Sequence, residues 1–110
     1  MSDIAKLTQM LLQFRRERDW QRFHKPKDMA LSLVLESAEL LEHFQWKTDK
    51  QAKAHVKKNK EAVADELSDV LNWVLLLSHD LDIDILKASE KKIGKNGKKY
   101  PIGKKGPFSK

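Results

Sequence analysis

Four acids stand where packing alone would not put them. Glu36 and Glu39 are three residues apart, as are Glu66 and Asp69, so each pair falls on one face of a helix. Glu36 follows Leu35 and precedes Ala38 by two, and Asp69 runs into Val70 and Leu71. Carboxylates gathered in an apolar interior repel one another and resist ionising. A divalent cation reverses that sign. Magnesium takes hard oxygen ligands in an octahedron and usually keeps several waters, so two acid pairs on facing helices leave positions open for phosphate oxygens. The competing reading is of surface acids on amphipathic helices, and spacing alone does not separate the two. A di-iron bundle needs Glu-x-x-His on two helices. The residues three after Glu36, Glu39 and Glu66 are Glu39, Glu42 and Asp69, and His43 falls four after Glu39, so oxygen-only chemistry is preferred.

The elements that must position these acids are helical. Ile4, Leu7, Leu11 and Phe14 recur at spacings of three and four, which predicts a helix from Asp3 to about Trp20 with Arg15, Arg16 and Arg18 on its other faces. His24-Lys25-Pro26 interrupts it, because the residue before proline is pushed out of helical geometry. A second helix is predicted from near Pro26 to about Trp46, with Asp28 in its first turn suiting the positive helix end. Thr48-Asp49 marks a loop and cap ahead of a lysine-rich stretch, 51–60, read as a solvated face. A third major helix is expected from about Asn59 to Ser78, and a fourth from near Asp82 to about Lys92. Beyond it, Gly94, Gly97, Pro101, Gly103, Gly106 and Pro107 predict an extended or mobile tail unless a ligand or neighbouring subunit orders it. The expected fold is all-α, a four-helix bundle over 1–101 followed by a basic flexible tail over 102–110. The second and third major helices carry apolar residues on more than one face, which implies burial on more than one face. Pairing with a second copy would supply it, as a dimer or a dimer of dimers.

Composition bounds the rest. At 110 residues the chain makes one domain. The longest apolar run, Val74 to Leu77, is far short of a membrane span, and the first residues lack the layout of a signal peptide. No cysteine is present, which removes disulfides, thiol catalysis and cysteine-zinc sites. A cytoplasmic protein is expected. The net charge of +6 is unevenly spread: 87–110 carry nine lysines against Glu90, while 1–86 carry 13 basic and 15 acidic residues. A basic end can bind nucleic acid nonspecifically or bring lysines to a small polyphosphate. The first option defines the alternative function, a non-catalytic helical module binding nucleic acid or nucleotides through its basic segment.

Glu36-x-x-Glu39, a gap of 26 residues, and Glu66-x-x-Asp69 resemble the metal signature of the all-α nucleoside triphosphate pyrophosphohydrolases, the MazG-like superfamily. Arg18-Asp19-Trp20-x-x-Phe23-His24-x-Pro26 is similar to the entry motif of its dCTP pyrophosphatase branch. So are Glu39-Leu40-x-Glu42-x-Phe44-Gln45-Trp46 and Asp65-Glu66-Leu67-Ser68-Asp69-Val70-Leu71. The ending Lys92-x-x-x-Asn96-x-x-Lys99-Tyr100-Pro101 is similar to the loop that closes these enzymes. The resemblance spans about 4–101. It implies hydrolysis of a (deoxy)nucleoside triphosphate, dCTP or a related or modified deoxynucleotide, to the monophosphate and pyrophosphate. It also implies Mg²⁺, with Mn²⁺ as a substitute, on Glu36, Glu39, Glu66 and Asp69.

On the same resemblance Glu36 or Glu39 would orient the attacking water, and Lys92, Asn96, Lys99 and Tyr100 would reach the phosphates and sugar. Nucleic acid is then not the expected partner, and the lysines have a smaller anion to serve. Trp20, Trp46 and Trp73 look like the base pocket of the branch, and aromatic stacking contributes about 1–3 kcal/mol per base. His24 either joins them or braces the turn, whereas His55 and His79 carry no assigned role. Two positions depart from the pattern: Leu11 stands where mammalian members carry a histidine, and the ending after Pro101 is short.

Overall fold

The structure, a computed structural model, describes residues 1–103. It contains α1 (Asp3–Glu17), α2 (Pro26–Glu42), α3 (Asp49–Lys58), α4 (Lys60–Asp80) and α5 (Ile85–Lys99). No strand occurs among the described residues, and no described helix is long and apolar enough to cross a membrane. The all-α expectation holds, with the lysine-rich stretch adding a short fifth helix to the four.

Local chemistry sets the boundaries. Ser2 caps α1 by accepting from the Ala5 N–H at 3.0 Å, and Arg15 and Arg16 stand in its last turn, where a cation suits the helix end. Extended Lys25 leads into Pro26 at the start of α2, where a missing N–H costs nothing. Thr48 and Gln51 form a reciprocal capping box on α3. The second helix stops at Glu42 rather than Trp46. Turns carry the chain on, and Trp46 sits at φ 63°, an uncommon conformation for a bulky side chain.

The largest departure is α5. It runs through Gly94 and Gly97 to Lys99, where the glycines predicted a break at Lys92. An interior glycine costs only about 1 kcal/mol against alanine. The Asp84 cap on the Lys87 N–H and the lysines of the last turn favour continuation. Of the segment expected as a flexible tail over 102–110, residues 104–110 lie outside the described residues.

The long α4 is the central element, with α2 packed along it and α1 and α3 against it. Leu12, Met29 and Leu76 form the buried centre, with Leu11, Trp73 and Leu77 packed on it. At the far end of α2, His43 Nδ1 and His55 Nε2 lie 2.9 Å apart, tying α2 to α3. Burial first, then the Lys47 and His43 charges, holds His55 below its ordinary pKa. Val34, Leu31 and Leu35 of α2 and Leu67 of α4 remain more than half exposed. The radius of gyration is 17.0 Å, against about 13 Å for a compact chain near this size. A single copy is therefore an open body with an uncovered apolar face.

Candidate active site

The pairing of α2 with α4 brings three of the four acids together. One carboxylate oxygen each of Glu36, Glu39 and Glu66 lies within 4.8 Å of the others. Opposite ligands of an octahedral magnesium are about 4.2 Å apart, so this oxygen set is of the right size. Glu36 and Glu66 are half-buried and Glu39 is exposed. The Oε2 atoms of Glu36 and Glu66 are buried with no hydrogen-bond partner. Among the described residues, the ion pairs join Arg15 to Asp80, Arg18 to Glu17 and Arg22 to Asp19, and none reaches the cluster. Burial, then the Glu39 carboxylate, pushes the Glu36 pKa up to about 7, with Glu66 and Asp69 adding to the rise. Burial, then Glu39, also raises Glu66. Buried acceptors without donors, all oxygen and all of one sign, fit a hard divalent cation.

Asp69 is not in that close triad. It lies on α4 one turn after Glu66 and lines a cavity of about 440 Å³ that also contains Trp20, His24 and Trp73. Asp69 thus connects the carboxylate cluster to an aromatic pocket. The pocket is built by the chain reversal after α1. Asp19 takes φ 53°, and the Trp20 N–H donates back to the Arg15 carbonyl at 3.1 Å. That folds Trp20 edge-on against Phe14, centroids 5.6 Å apart. His24 then meets Trp73 edge-on at 5.1 Å. Leu11, the position that departs from the resemblance, forms part of the same wall.

The other expected substrate contacts do not converge here. Trp46 is 93% exposed and is not on the cavity wall. Lys92 and Lys99 of α5 are exposed, Asn96 of α5 and Tyr100 just after it are half-buried, and none of the four lines this cavity.

Sequence reasoning missed Arg15. Placed on an outer face, it is in fact 8% exposed and donates both terminal nitrogens to Asp80, Nη1 to Oδ2 at 2.8 Å and Nη2 to Oδ1 at 2.9 Å. Its spacing of three from Leu12 and four from Leu11 was the available signal. The guanidinium holds the Asp80 carboxyl below its usual range against the opposing effect of burial.

Residues 31–110 match the MazG-like family. The chain is 39% identical over 104 residues to dCTP pyrophosphatase 1 of Rattus norvegicus and 38% identical over 103 residues to the Homo sapiens protein. Each alignment takes in more than nine-tenths of this chain but 59% of the relative, so the chain spans about three-fifths of their length. The crystal structure of a pyrophosphatase from Archaeoglobus fulgidus superposes with a TM-score of 0.86 at 35% identity, covering 92% of this chain and 94% of that one.

Proposed function

The chain belongs to the MazG-like family, and from that premise we propose that it is a divalent-metal-dependent nucleoside triphosphate pyrophosphohydrolase. The substrate we assign is dCTP or a related or modified deoxynucleotide, and the role is house-cleaning of the cytoplasmic nucleotide pool. The observation that carries this reading is the adjacency at Asp69: partnerless buried carboxylate oxygens on one side, an aromatic cavity with room for a nucleobase on the other. The curated relatives are dCTP pyrophosphatases and the structural relative is a pyrophosphatase, which supports the same reaction.

Glu36, Glu39 and Glu66, completed by Asp69, would hold Mg²⁺, with Mn²⁺ able to replace it. When bound, that ion polarises phosphate oxygens and acidifies a water. Trp20, His24 and Trp73 take the base, which leaves the triphosphate running past Asp69 toward the carboxylates. Glu36 or Glu39 accepts a proton from the water that attacks the α-phosphorus. The α–β phosphoanhydride bond breaks, giving the monophosphate and pyrophosphate with no protein nucleophile.

A second copy completes the picture. The exposed Leu31, Val34, Leu35 and Leu67 form the surface we assign to it, in a dimer or a dimer of dimers. It would also cover Trp46 and bring Lys92, Asn96, Lys99 and Tyr100 to a phosphate they do not approach within one chain. Incubating the protein with a dNTP panel and Mg²⁺ tests the reaction. Pyrophosphate and monophosphate are expected, and orthophosphate or no turnover would sink it. Light scattering tests the assembly, since a mass near 12.8 kDa would rule out pairing.

A further inference from the structure

Two residues outside the metal cluster set the chemistry of the cavity wall. Arg15 reaches from the last turn of α1, and Asp80 closes α4, 65 residues away. Their bidentate pair occupies both terminal nitrogens of the guanidinium. Arg15 Nη1 also faces His24 Nδ1 at 3.4 Å. An arginine has five donors and no acceptor. His24 Nδ1 can therefore only accept, and the one ring proton must sit on Nε2. A second proton at Nδ1 would set an N–H against a guanidinium cation.

The indoles aside, the polar side chains on the cavity wall are Arg15, His24, Asp69 and Asn72. Arg15 is engaged by Asp80, and Asp69 stands one turn from Glu66 on the metal side. Reading the edge of a base falls to His24 and Asn72. His24 is itself held between Trp73 and Trp20, with centroids at 5.1 and 6.4 Å. We infer that Arg15 and Asp80 are positioning residues that fix His24 as a neutral Nε2–H donor toward the substrate base, for a nucleobase carbonyl oxygen or unprotonated ring nitrogen. This deepens the proposed function and rests on it. The burial of His24 and the neighbouring Arg15 cation lower its pKa while Asp80 opposes them, which agrees with a ring kept neutral by its surroundings.

The test begins without substrate or metal. Long-range proton–nitrogen correlation spectra of the ¹⁵N-histidine-labelled protein at neutral pH should show His24 as the Nε2–H tautomer. An Nδ1–H or doubly protonated His24 overturns the inference, whatever the activity. Adding deoxycytidine, which has a base but no phosphate, should then shift the His24 nitrogen signals, and unmoved signals overturn the assignment to the base.

The kinetic arm uses R15M/D80N, which removes both charges together and strands neither. KM for dCTP should rise about tenfold with kcat within about threefold, the pattern of lost ground-state binding, and His24 should become a tautomer mixture. R15K keeps the charge and loses the fork, so it should fall between the double variant and the wild type. A fall in kcat at unchanged KM would place the pair outside base binding. Absence of any triphosphate turnover would defeat the proposed reaction instead, with the spectra still deciding the state of His24.

Discussion

Two groups of charge adjoin the same pocket, one through Arg15 and the other through Asp69, and they meet burial in opposite ways. Asp80 meets a guanidinium in bidentate geometry, and its pKa falls. Glu36 meets only other carboxylates, and its pKa rises to about 7. Burial pushes both carboxyls up, and of the two only Asp80 has a cation to reverse it, so the partner decides the sign. A pair that satisfies itself belongs to the architecture. A cluster that leaves two buried oxygens without donors fits the cation proposed above.

The widest gap between the two groups should appear in catalysis. Glu39→Gln is nearly isosteric and exposed, so the helices should survive and the circular dichroism should match the wild type. Turnover of dCTP should fall about 10³-fold, within the range associated with a lost general base. A variant retaining more than a tenth of wild-type kcat would show that the cluster is not the reacting end of the pocket.

Breaking the other group should cost stability. Arg15→Met leaves the Asp80 carboxylate unpaired at the exposed end of α4, its side chain still 20% accessible, so the cost is below that of stranding a fully buried ion, about 1–2 kcal/mol. For a chain of this size that lowers Tm by about 4–9 °C. R15M/D80N should recover most of the loss, because neither charge is then stranded. The pair contributes fully above the ordinary Asp80 value of 3.8 and is lost as pH falls through the lowered folded value. If acid titration of the wild type and of R15M run parallel below that pH, the pair is not the source.

The difference between the two groups was only half legible in the sequence. Glu36, Glu39, Glu66 and Asp69 stood out by their spacing inside apolar helices, which left surface acids as an open alternative until the flanking motifs were read, and Trp20, His24 and Trp73 stood out by type. A helix repeat reports which residues share a face, so it paired Glu36 with Glu39 and Glu66 with Asp69, but not one helix with the other, nor Trp20 and His24 of the turn with Trp73. Arg15 and Asp80 are linked across 65 residues, and no local pattern carries that distance. The uncovered α2–α4 face was legible, since both helices carry apolar residues on more than one face, whereas the 93% exposure of Trp46 was not. Gly94 and Gly97 misled for a different reason. Propensity is a weak prior, and each is accommodated at small cost. A Cβ at either would meet nothing within 4 Å, so G94A and G97A should each stabilise α5, by about 0.5–1 kcal/mol.

The comparison is sharpest where the effect is subtle, in the metal-free protein. Removing a paired charge at Arg15 should destabilise, whereas removing a repelling one should not. Glu36→Gln in EDTA at pH 8 should raise Tm slightly, since it replaces a carboxylate crowded by its own kind with a neutral amide of the same shape. The pH dependence carries the same sign. Between about 7 and 4.5, folded Glu36 holds a proton that the unfolded chain has released, so stability rises as pH falls through that window. Glu36→Gln should flatten the rise. Mg²⁺ competes for the same oxygens, so it should raise the wild-type Tm more at pH 8 than at pH 6 and do little for the variant. Linkage allows a gain of about 2.7 kcal/mol at a hundredfold excess over Kd. A wild-type Tm that ignores Mg²⁺ at pH 8, or an E36Q protein less stable than wild type in EDTA, would mean that these oxygens are not waiting for a cation. The contrast with Asp80 would then dissolve.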